Sequence, residues 1–362
     1  MNALGAARAL TGALLLLAMP AALGPSQGAT GAPVPTAPAA AYPREEPFVV
    51  RPFRPYLGDR WIGEAIAYGP HRDGQRPDGP APSRAQVRED LRLVSRHWSL
   101  VRLYGASGPA DTVLQVIHDE RLPVRVLLGV WIAAEERRDS TGRVLERFPA
   151  AVAANRREIE AAVVASRRYP DLVLALCVGN ETQIFWSAHR VPAERLVAAI
   201  RELRARTRLP VTTGDDYNYW NKPESRALAS ELDFVVTHLH PLWNGSQLDG
   251  ALEWIRTNLS AIRARHPDRE VIVGETGWAT LRNDQGDQGK LMKGALGEAE
   301  QAAFHRQVSA WVKAEHVPTF FFEAFDENWK GGSDPADVEK HWGFFRADRT
   351  PKLAVAGGSD EQ

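Results

Sequence analysis

The sequence predicts an α/β fold, a closed (β/α)8 TIM barrel that forms one domain. Eight short apolar runs rich in β-branched or aromatic residues follow one another from residue 61 onward, and amphipathic segments separate them. Strands that are apolar at nearly every position are typical of a parallel sheet whose outer face is covered by helices. The 362 residues leave room for such a barrel, which uses about 250 residues as one unit.

The predicted strands and helices alternate strictly along the chain. The eight strands are Trp61–Tyr68, Leu100–Tyr104, Val124–Trp131, Leu172–Val178, Pro210–Gly214, Asp233–His240, Glu270–Gly274 and Thr319–Phe325. The seven helices between them are Ser83–His97, Ala110–Glu120, Ala150–Arg168, Pro192–Thr207, Pro223–Glu231, Leu248–His266 and Gly297–His316. A doubly wound open sheet is the alternative, but it normally carries a glycine-rich phosphate turn, which Gly63, Gly69 and Gly74 do not form.

Charge and cysteine content exclude several classes of protein. The formal net charge of -1 gives no field that would attract nucleic acid or anionic lipid, so a neutral substrate is expected. Cys177 is the sole cysteine, so no intramolecular disulfide can form. Its place in an apolar strand predicts a buried small hydrophobic residue rather than a nucleophile. We expect a monomer that binds no nucleic acid.

The amino terminus predicts export to the periplasm or the extracellular space. The apolar run Leu10–Leu23 follows Arg8 and ends in small residues, which is typical of a signal peptide. An uncleaved signal anchor is the alternative, although the run is shorter than the ~20 residues of a spanning helix. After cleavage we expect no stable membrane insertion. The predicted division is a signal peptide at 1–24, an Ala/Pro/Gly-rich linker at 25–46, the barrel domain at 47–350 and a flexible tail at 351–362.

Polar and aromatic residues cluster where the predicted strands end. Barrel enzymes place their chemistry at the carboxyl ends of the strands and in the loops that follow. The residues at these eight places are Tyr68, Tyr104, Trp131, Asn180 with Glu181, Asp215 with Asp216 and Tyr217, His238 with His240, Glu275 with Trp278, and Glu323 with Asp326 and Glu327. The sequence therefore predicts a functional site at this end of the barrel.

Two glutamates at strand ends indicate acetal chemistry. Glu181 follows the fourth predicted strand and Glu275 the seventh, and these strands face each other across a barrel. Retaining cleavage of a glycosidic bond needs a carboxylic acid and a carboxylate nucleophile roughly 5 to 5.5 Å apart. Asn180 can bond a sugar hydroxyl beside Glu181, which we therefore assign as acid and base. Glu275 is assigned as nucleophile, held ionised by neighbours such as Arg102 or His240.

Six short motifs at the strand ends are specific in combination. They are Ile66-Ala67-Tyr68-Gly69, Val101-Arg102-Leu103-Tyr104, Val178-Gly179-Asn180-Glu181, His238-Leu239-His240-Pro241, Gly274-Glu275-Thr276-Gly277-Trp278 and Phe325-Asp326-Glu327-Asn328-Trp329-Lys330. With these motifs, residues 61–346 resemble glycoside hydrolase family 17, the β-1,3-glucanase family. The insert Pro70–Pro82 makes the resemblance closer to bacterial members than to plant endoglucanases.

The resemblance implies a retaining double displacement on β-glucan, with β-1,3-linked glucan as the expected substrate. It gives Glu181 the acid/base role and Glu275 the nucleophile role, and it places Glu327 and Lys330 near the active site. It also implies that neither a metal nor a cofactor is needed. Some bacterial relatives transfer glucan chains, so a transglycosylase with the same catalytic pair is the alternative.

The chain departs from the family pattern at two positions. Ala279 stands where the family often has proline, which affects a loop. His240 stands where tyrosine is common, which affects how the nucleophile is held.

The expected substrate-binding residues combine these motifs with aromatic side chains that can stack on sugar faces. They are Tyr68, Arg102, Tyr104, Trp131, Asn180, Tyr217, His240, Trp278, Glu327 and Lys330. Trp278 and Trp131 are the first candidates for stacking, since one adjoins the nucleophile and the other ends a strand.

Other interpretations of these residues stay open at this point. His238 and His240 share a strand face, which would suit a metal-dependent hydrolase, and a glycan-binding barrel without turnover is a second alternative. Asp215 and Asp216 are expected to cap a loop or helix rather than bind calcium. The charged run at 135–138 is expected to be a solvated loop.

Overall fold

The computed structural model describes residues 42–139 and 141–356 of the chain. The predicted signal peptide at 1–24 and most of the predicted linker lie outside the described residues. Within the described part, no helix combines the length and the apolar character that crossing a bilayer requires.

Eight parallel strands close into a barrel in chain order, which confirms the predicted fold class. The barrel strands are β1 (Glu64–Ala67), β2 (Leu100–Arg102), β3 (Arg125–Val130), β4 (Val173–Asn180), β5 (Val211–Asp216), β6 (Phe234–His238), β7 (Glu270–Thr276) and β8 (Thr319–Phe321). Each lies within or within two residues of its predicted range. The short β1, β2 and β8 end earlier than predicted, because the chain leaves the ladder to form the mouth of the barrel.

Helices connect consecutive strands and cover the outside of the barrel. They are α1 (Arg84–Val94), α2 (Pro109–Asp119), α3 (Pro149–Arg168), α4 (Ala193–Arg206), α5 (Tyr217–Trp220), α6 (Ser225–Ala229), α7 (Leu248–Arg265), α8 (Gly286–Leu291), α9 (Glu298–Glu315) and α10 (Leu353–Ala356). Short 3-10 turns form at Leu242–Asn244 and Val338–Lys340. The sequence did not predict α5, α8 or α10.

Two antiparallel hairpins lie outside the barrel. Tyr56–Leu57 pairs with Arg60–Trp61 before β1, and Glu136–Arg138 pairs with Val144–Arg147 after β3. The second pairing corrects the expectation of a loop at 135–138, since exposed charged side chains are compatible with a solvated two-stranded ribbon as well as with a loop. This hairpin extends the loop that follows β3.

The hydrophobic core forms two layers. Alternate strand residues point into the barrel, where a compact cluster fills the interior, and the opposite faces pack against the helices. The interior cluster consists of Phe53, Ile62, Ala65, Leu100, Leu127, Ala175, Cys177, Phe234, Val236, Ile272 and Phe320. Cys177 is buried in this cluster as a free thiol, as predicted. The barrel is therefore a packed core with its site at one end.

Residues that follow the predicted linker close the amino-terminal end of the barrel, which we call the barrel floor. Phe53 stacks on Phe234 with ring centroids 4.9 Å apart. Asp233, which is 1% exposed, accepts hydrogen bonds from the backbone N–H of Arg51 and of Val211, each at 2.7 Å, and pairs with Arg204. Helix α4 and strands β5 and β6 are thereby joined to the incoming chain.

The carboxyl-terminal end of the described chain is packed rather than flexible. Lys352 is 2% exposed, and its Nζ donates to Asp326 Oδ1 at 2.8 Å. Helix α10 follows at once and packs against α9. The expectation of a flexible tail is therefore wrong for residues 351–356, because Lys352 neutralises a carboxylate buried behind β8.

We predict that Asp233→Ala lowers the free energy of unfolding by about 3 to 5 kcal/mol, because it leaves the buried Arg204 charge with only the half-exposed Glu45 as carboxylate partner and removes the acceptor of two backbone N–H groups. Urea or thermal unfolding measures the change. Glu146→Ala, which breaks an exposed pair with Arg137, is the matched control and should change stability by less than about 1 kcal/mol. Equal effects of the two variants would contradict this account of the barrel floor.

Candidate active site

The ends of β4 and β7 bring Glu181 and Glu275 together. Ligand-type atoms of Glu181, His238 and Glu275 all lie within 4.8 Å of one another. Glu181 follows Asn180 with a backbone φ of 49°, and its N–H donates to the Gly214 carbonyl of β5 at 2.9 Å. This left-handed turn carries the Glu181 side chain over the barrel mouth instead of into the helix layer. The two carboxyl groups can therefore reach one small ligand group.

Glu275 is surrounded by donors. Arg102 Nη1 and the Tyr104 hydroxyl each donate to Glu275 Oε1 at 2.9 Å, and His240 Nε2 lies 3.4 Å from Oε2. Burial alone would raise the pKa of Glu275, but the hydrogen bond from His240 and the Arg102 guanidinium outweigh it and hold the pKa well below its ordinary value. Glu275 is thus an ionised carboxylate at neutral pH.

The pKa values of two groups that donate to Glu275, Tyr104 and His240, are raised rather than lowered. Burial and the Glu275 charge raise the pKa of the Tyr104 phenol well above its ordinary value, so it stays protonated and donates. Burial opposes protonation of His240, but its hydrogen bond to Glu275 raises the His240 pKa. Both groups therefore support a negative charge on Glu275.

Glu181 has a different environment. Its side chain is 29% exposed, and His238 Nδ1 lies 2.8 Å from its Oε1. Arg102 Nη2 donates to Asn180 Oδ1 at 2.7 Å, which fixes the amide of Asn180 with its NH₂ directed away from the guanidinium. The amide is therefore oriented to donate to a ligand hydroxyl beside Glu181.

A lysine bridges two buried glutamates at the end of β8. Lys330 Nζ lies 2.6 Å from Glu323 Oε2 and 2.8 Å from Glu327 Oε2. Burial raises the pKa of Glu323 well above its ordinary value, whereas Lys330 and the Trp329 indole, whose Nε1 donates to Glu327 at 3.0 Å, hold the pKa of Glu327 below it. The Lys330 cation thus neutralises the carboxylate of Glu327, while Glu323, the other carboxyl group of the pair, holds the proton. Glu327 is only 3% exposed and lies behind Lys330.

Two predicted binding residues do not reach the cleft. Trp278 is 1% exposed, and its indole donates to the Ala295 carbonyl at 2.8 Å. Tyr68 is also 1% exposed, and its hydroxyl donates to Asp90 Oδ2 of α1 at 3.2 Å. Both side chains pack in the layer between strands and helices, so the expectation that they contact substrate is wrong.

Aromatic residues that remain accessible lie elsewhere around the mouth. Trp131 is half-buried, and its ring packs against His189 with ring centroids 4.8 Å apart. Burial lowers the pKa of His189, although the Glu181 charge opposes this. Tyr217 is half-buried and donates to Asn244 Oδ1 at 2.6 Å. In the loop after Glu181, the exposed Phe185 packs edge-on against Trp186, with ring centroids 4.7 Å apart. Sequence reasoning missed Phe185.

Two further acids lie near Glu181. Burial, together with the Glu181 charge, raises the pKa of Asp216 to about 7. Burial also raises the pKa of Glu339 to about 7, although Lys330 and His240 oppose it. The side chain of Asp216 accepts from Asn218 N at the start of α5, which confirms the predicted cap. Glu339 was missed, since no short motif marks its place on the 3-10 turn.

The donor set at the centre differs from that of the alternative considered above, a metal site built on a histidine pair. His238 Nε2 lies 3.5 Å from Glu275 Oε1 and His240 Nε2 lies 3.4 Å from Oε2, but the group of mutually close ligand-type atoms consists of Glu181, His238 and Glu275, without His240. Arg102 Nη1 lies 2.9 Å from Glu275 Oε1 and 3.1 Å from His238 Nε2. The guanidinium already supplies positive charge among these atoms. The geometry therefore fits a carboxylate pair better than a site built on His238 and His240.

A closed barrel with two carboxylates meeting at the ends of β4 and β7 defines the class of glycoside hydrolases. The chain belongs to the family described as "BtgE/BtgC glycoside hydrolase domain", whose model matches residues 65–343. That range contains every barrel strand except the first residue of β1. The prediction of a glucanase-type family is confirmed at this level.

Named relatives and solved structures agree with this family. The glucan 1,3-beta-glucosidase of Arthroderma benhamiae is 27% identical over 294 residues, which cover 77% of this chain and 87% of that protein. The glucan 1,3-beta-glucosidase of Schizosaccharomyces pombe is 23% identical over 289 residues, covering 76% and 82%.

Two solved structures share the fold. An endo-laminarinase from Formosa Hel1_33_131 superposes with a TM-score of 0.68 at 22% identity and covers 82% of this chain and 87% of that chain. A glycoside hydrolase family 17 beta-1,3-glucanosyltransferase from Rhizomucor miehei gives 0.61 at 21% identity, covering 80% and 95%. At these identities the superpositions establish the barrel.

We predict that Glu339→Gln stabilises the protein more at pH 8 than at pH 5. The folded state favours the protonated Glu339 carboxyl, so the stability that it contributes is lost as pH rises from its ordinary pKa toward about 7. The glutamine variant carries no such loss. Thermal unfolding of both proteins at the two pH values measures the difference, with the exposed Glu315→Gln as control. A difference independent of pH would contradict the prediction.

Proposed function

We propose that this glycoside hydrolase cleaves or transfers β-1,3-linked glucan by a retaining double displacement. The observation that carries the proposal is that one carboxylate oxygen of Glu181 lies within 4.8 Å of one carboxylate oxygen of Glu275, in contrasting surroundings. Retaining enzymes hold their carboxyl groups about 5 to 5.5 Å apart, whereas inverting enzymes leave about 6.5 to 9.5 Å for a water molecule. The names of the relatives support the choice of glucan.

The two carboxyl groups take different roles because their surroundings differ. Glu275, ionised by Arg102, Tyr104 and His240, attacks the anomeric carbon. Glu181, accessible at the mouth, gives a proton to the leaving oxygen as the glycosidic bond breaks. In the second step of the reaction, the oxygen of water or of a sugar hydroxyl attacks the anomeric carbon and displaces the Glu275 carboxylate. Glu181 accepts the proton that this water or hydroxyl loses.

The remaining residues bind and orient the sugar. Asn180 donates beside Glu181, and Lys330, 16% exposed at its side chain, offers a cation on the other side of the cleft. Trp131, Tyr217 and Phe185 supply apolar surfaces at the rim for successive sugar rings. Glu327 contributes indirectly, by holding Lys330.

Cellular context is part of the same proposal. We infer export by the amino-terminal signal peptide, action as a monomer and kinship with bacterial members. The Pro70–Pro82 insert supports that kinship. A neutral glucan also suits the net charge of -1.

We predict that Glu181→Gln lowers turnover of β-1,3-gluco-oligosaccharides by about 10² to 10⁴-fold, the usual range for loss of an acid/base group. Glu275→Ala should remove nearly all turnover, because no covalent intermediate can form. Release of reducing ends measures both, and the surface variant Glu315→Gln should match the wild type. Full activity of Glu275→Ala would refute the nucleophile assignment.

We predict that the first product formed has the β-anomeric configuration, because two displacements at one carbon restore the original stereochemistry. Proton NMR of the early reaction measures the anomer before mutarotation. An α-anomer as first product would show inversion and overturn the mechanism.

Chain lengths of the products separate the two outcomes of the second step. Incubation with a purified oligosaccharide yields only shorter chains if water is the acceptor, and longer ones as well if a sugar hydroxyl competes. Treatment with EDTA should leave either activity unchanged, whereas a metal-dependent hydrolase would lose it. Binding without any change in chain length would favour the non-catalytic alternative.

A further inference from the structure

His238 lies between the two glutamates and is completely buried. Its Nδ1 is 2.8 Å from Glu181 Oε1, and its Nε2 is 3.1 Å from Arg102 Nη1 and 3.5 Å from Glu275 Oε1. The ring therefore contacts both carboxylates and the guanidinium at once. The mechanism above gives it no role.

The neighbours determine which ring nitrogen carries the proton. A guanidinium has only N–H donors, so at 3.1 Å from Arg102 Nη1 the Nε2 atom has to present its lone pair. The two hydrogens of Nη1 are shared among three acceptors, which are Nε2, Glu275 Oε1 and the Gly274 carbonyl, the last at 2.9 Å. A proton on Nε2 would set N–H against N–H, and a doubly protonated ring would in addition place a second positive charge beside the guanidinium. We therefore assign the neutral tautomer with hydrogen on Nδ1.

Two glycines make room for this arrangement. A Cβ at Gly214 of β5 would lie 2.8 Å from Arg102 Nη2 and 3.0 Å from His238 Nε2. A Cβ at Gly274 of β7 would lie 2.1 Å from Val236 Cγ1 and 3.2 Å from His238 Cδ2. Strands on both sides of β6 thus lack side chains where the guanidinium meets the imidazole, so the ring has little freedom to turn.

We propose that His238 is a positioning residue that decides which oxygen of Glu181 bears the proton. The Nδ1–H of His238 donates to Oε1, and among the described residues His238 alone hydrogen-bonds this carboxyl. Oε1 is then held as an acceptor, so the acidic hydrogen resides on Oε2, the oxygen left for the substrate. This inference rests on the acid/base role of Glu181 proposed above.

The role has a chemical consequence that a purely structural one lacks. A sugar leaving group needs a proton as the glycosidic bond breaks, whereas 2,4-dinitrophenolate leaves without one. Misplacing the Glu181 proton should therefore slow glycosylation by sugar substrates and spare glycosylation by a dinitrophenyl glycoside.

Two nearly matched variants test the proposal. In His238→Asn the side-chain amide nitrogen can occupy the place of Nδ1 and donate to Glu181, whereas in His238→Gln the longer side chain carries its amide toward Nε2. We expect His238→Asn to keep turnover of β-1,3-gluco-oligosaccharides within about tenfold of wild type, and His238→Gln to lose about 10²-fold or more. The burst of dinitrophenolate from 2,4-dinitrophenyl β-laminaribioside should keep its rate in both.

Glu181→Gln, assayed on the same two substrates, separates the inference from the proposed function. If Glu181→Gln shows no dependence on the leaving group, the acid/base assignment itself fails. Two outcomes would contradict the inference about His238 alone, provided that Glu181→Gln does show a dependence on the leaving group. One is that His238→Gln slows both substrates equally, and the other is that His238→Asn and His238→Gln behave alike.

A measurement on the wild type avoids any effect of substitution on folding. Protein labelled with ¹⁵N-histidine should give, for His238 at pH 7, the nitrogen shifts of a ring that carries its hydrogen on Nδ1 and a lone pair on Nε2. His238→Asn identifies the resonance by its loss. A hydrogen on Nε2 would overturn the proposal.

Discussion

The arrangement of the active site depends on one buried guanidinium. Arg102 is 1% exposed and contacts Glu275, Asn180 and His238, which come from three other strands. An isolated charge at this depth would cost several kcal/mol, so the guanidinium is retained only where Glu275 is ionised and close. The same contacts fix the amide of Asn180 and the proton of His238. Charge, orientation and tautomer in the cleft therefore have a common origin.

The sequence predicted the barrel well because burial controls strands directly. Strands β3 to β7 are apolar runs covered on both faces, and their signal does not depend on loop geometry. The approach of Glu181 to Glu275 could also be anticipated, since facing strands of a barrel end at one mouth.

Side-chain direction and irregular segments were beyond prediction. Tyr68 and Trp278 sit next to strand ends, but a residue there can turn toward the helices as easily as into the cleft, and both turned outward. Glu339 reaches the site from a long irregular stretch after β8, where no periodicity guides prediction. Lys352 was assigned to a tail because its partner Asp326 is distant in sequence.

The barrel floor also determines from which side the amino-terminal part of the chain enters the barrel. Residues 43–53 enter beneath β5 and β6, where Arg51 bonds Asp233 and the Thr207 carbonyl, while Glu181 and Glu275 lie at the opposite end of the strands. Whatever is joined to the chain before residue 42 is thus attached to the face away from the cleft. A tether on that side leaves the mouth turned outward, free to meet an insoluble or extended polymer.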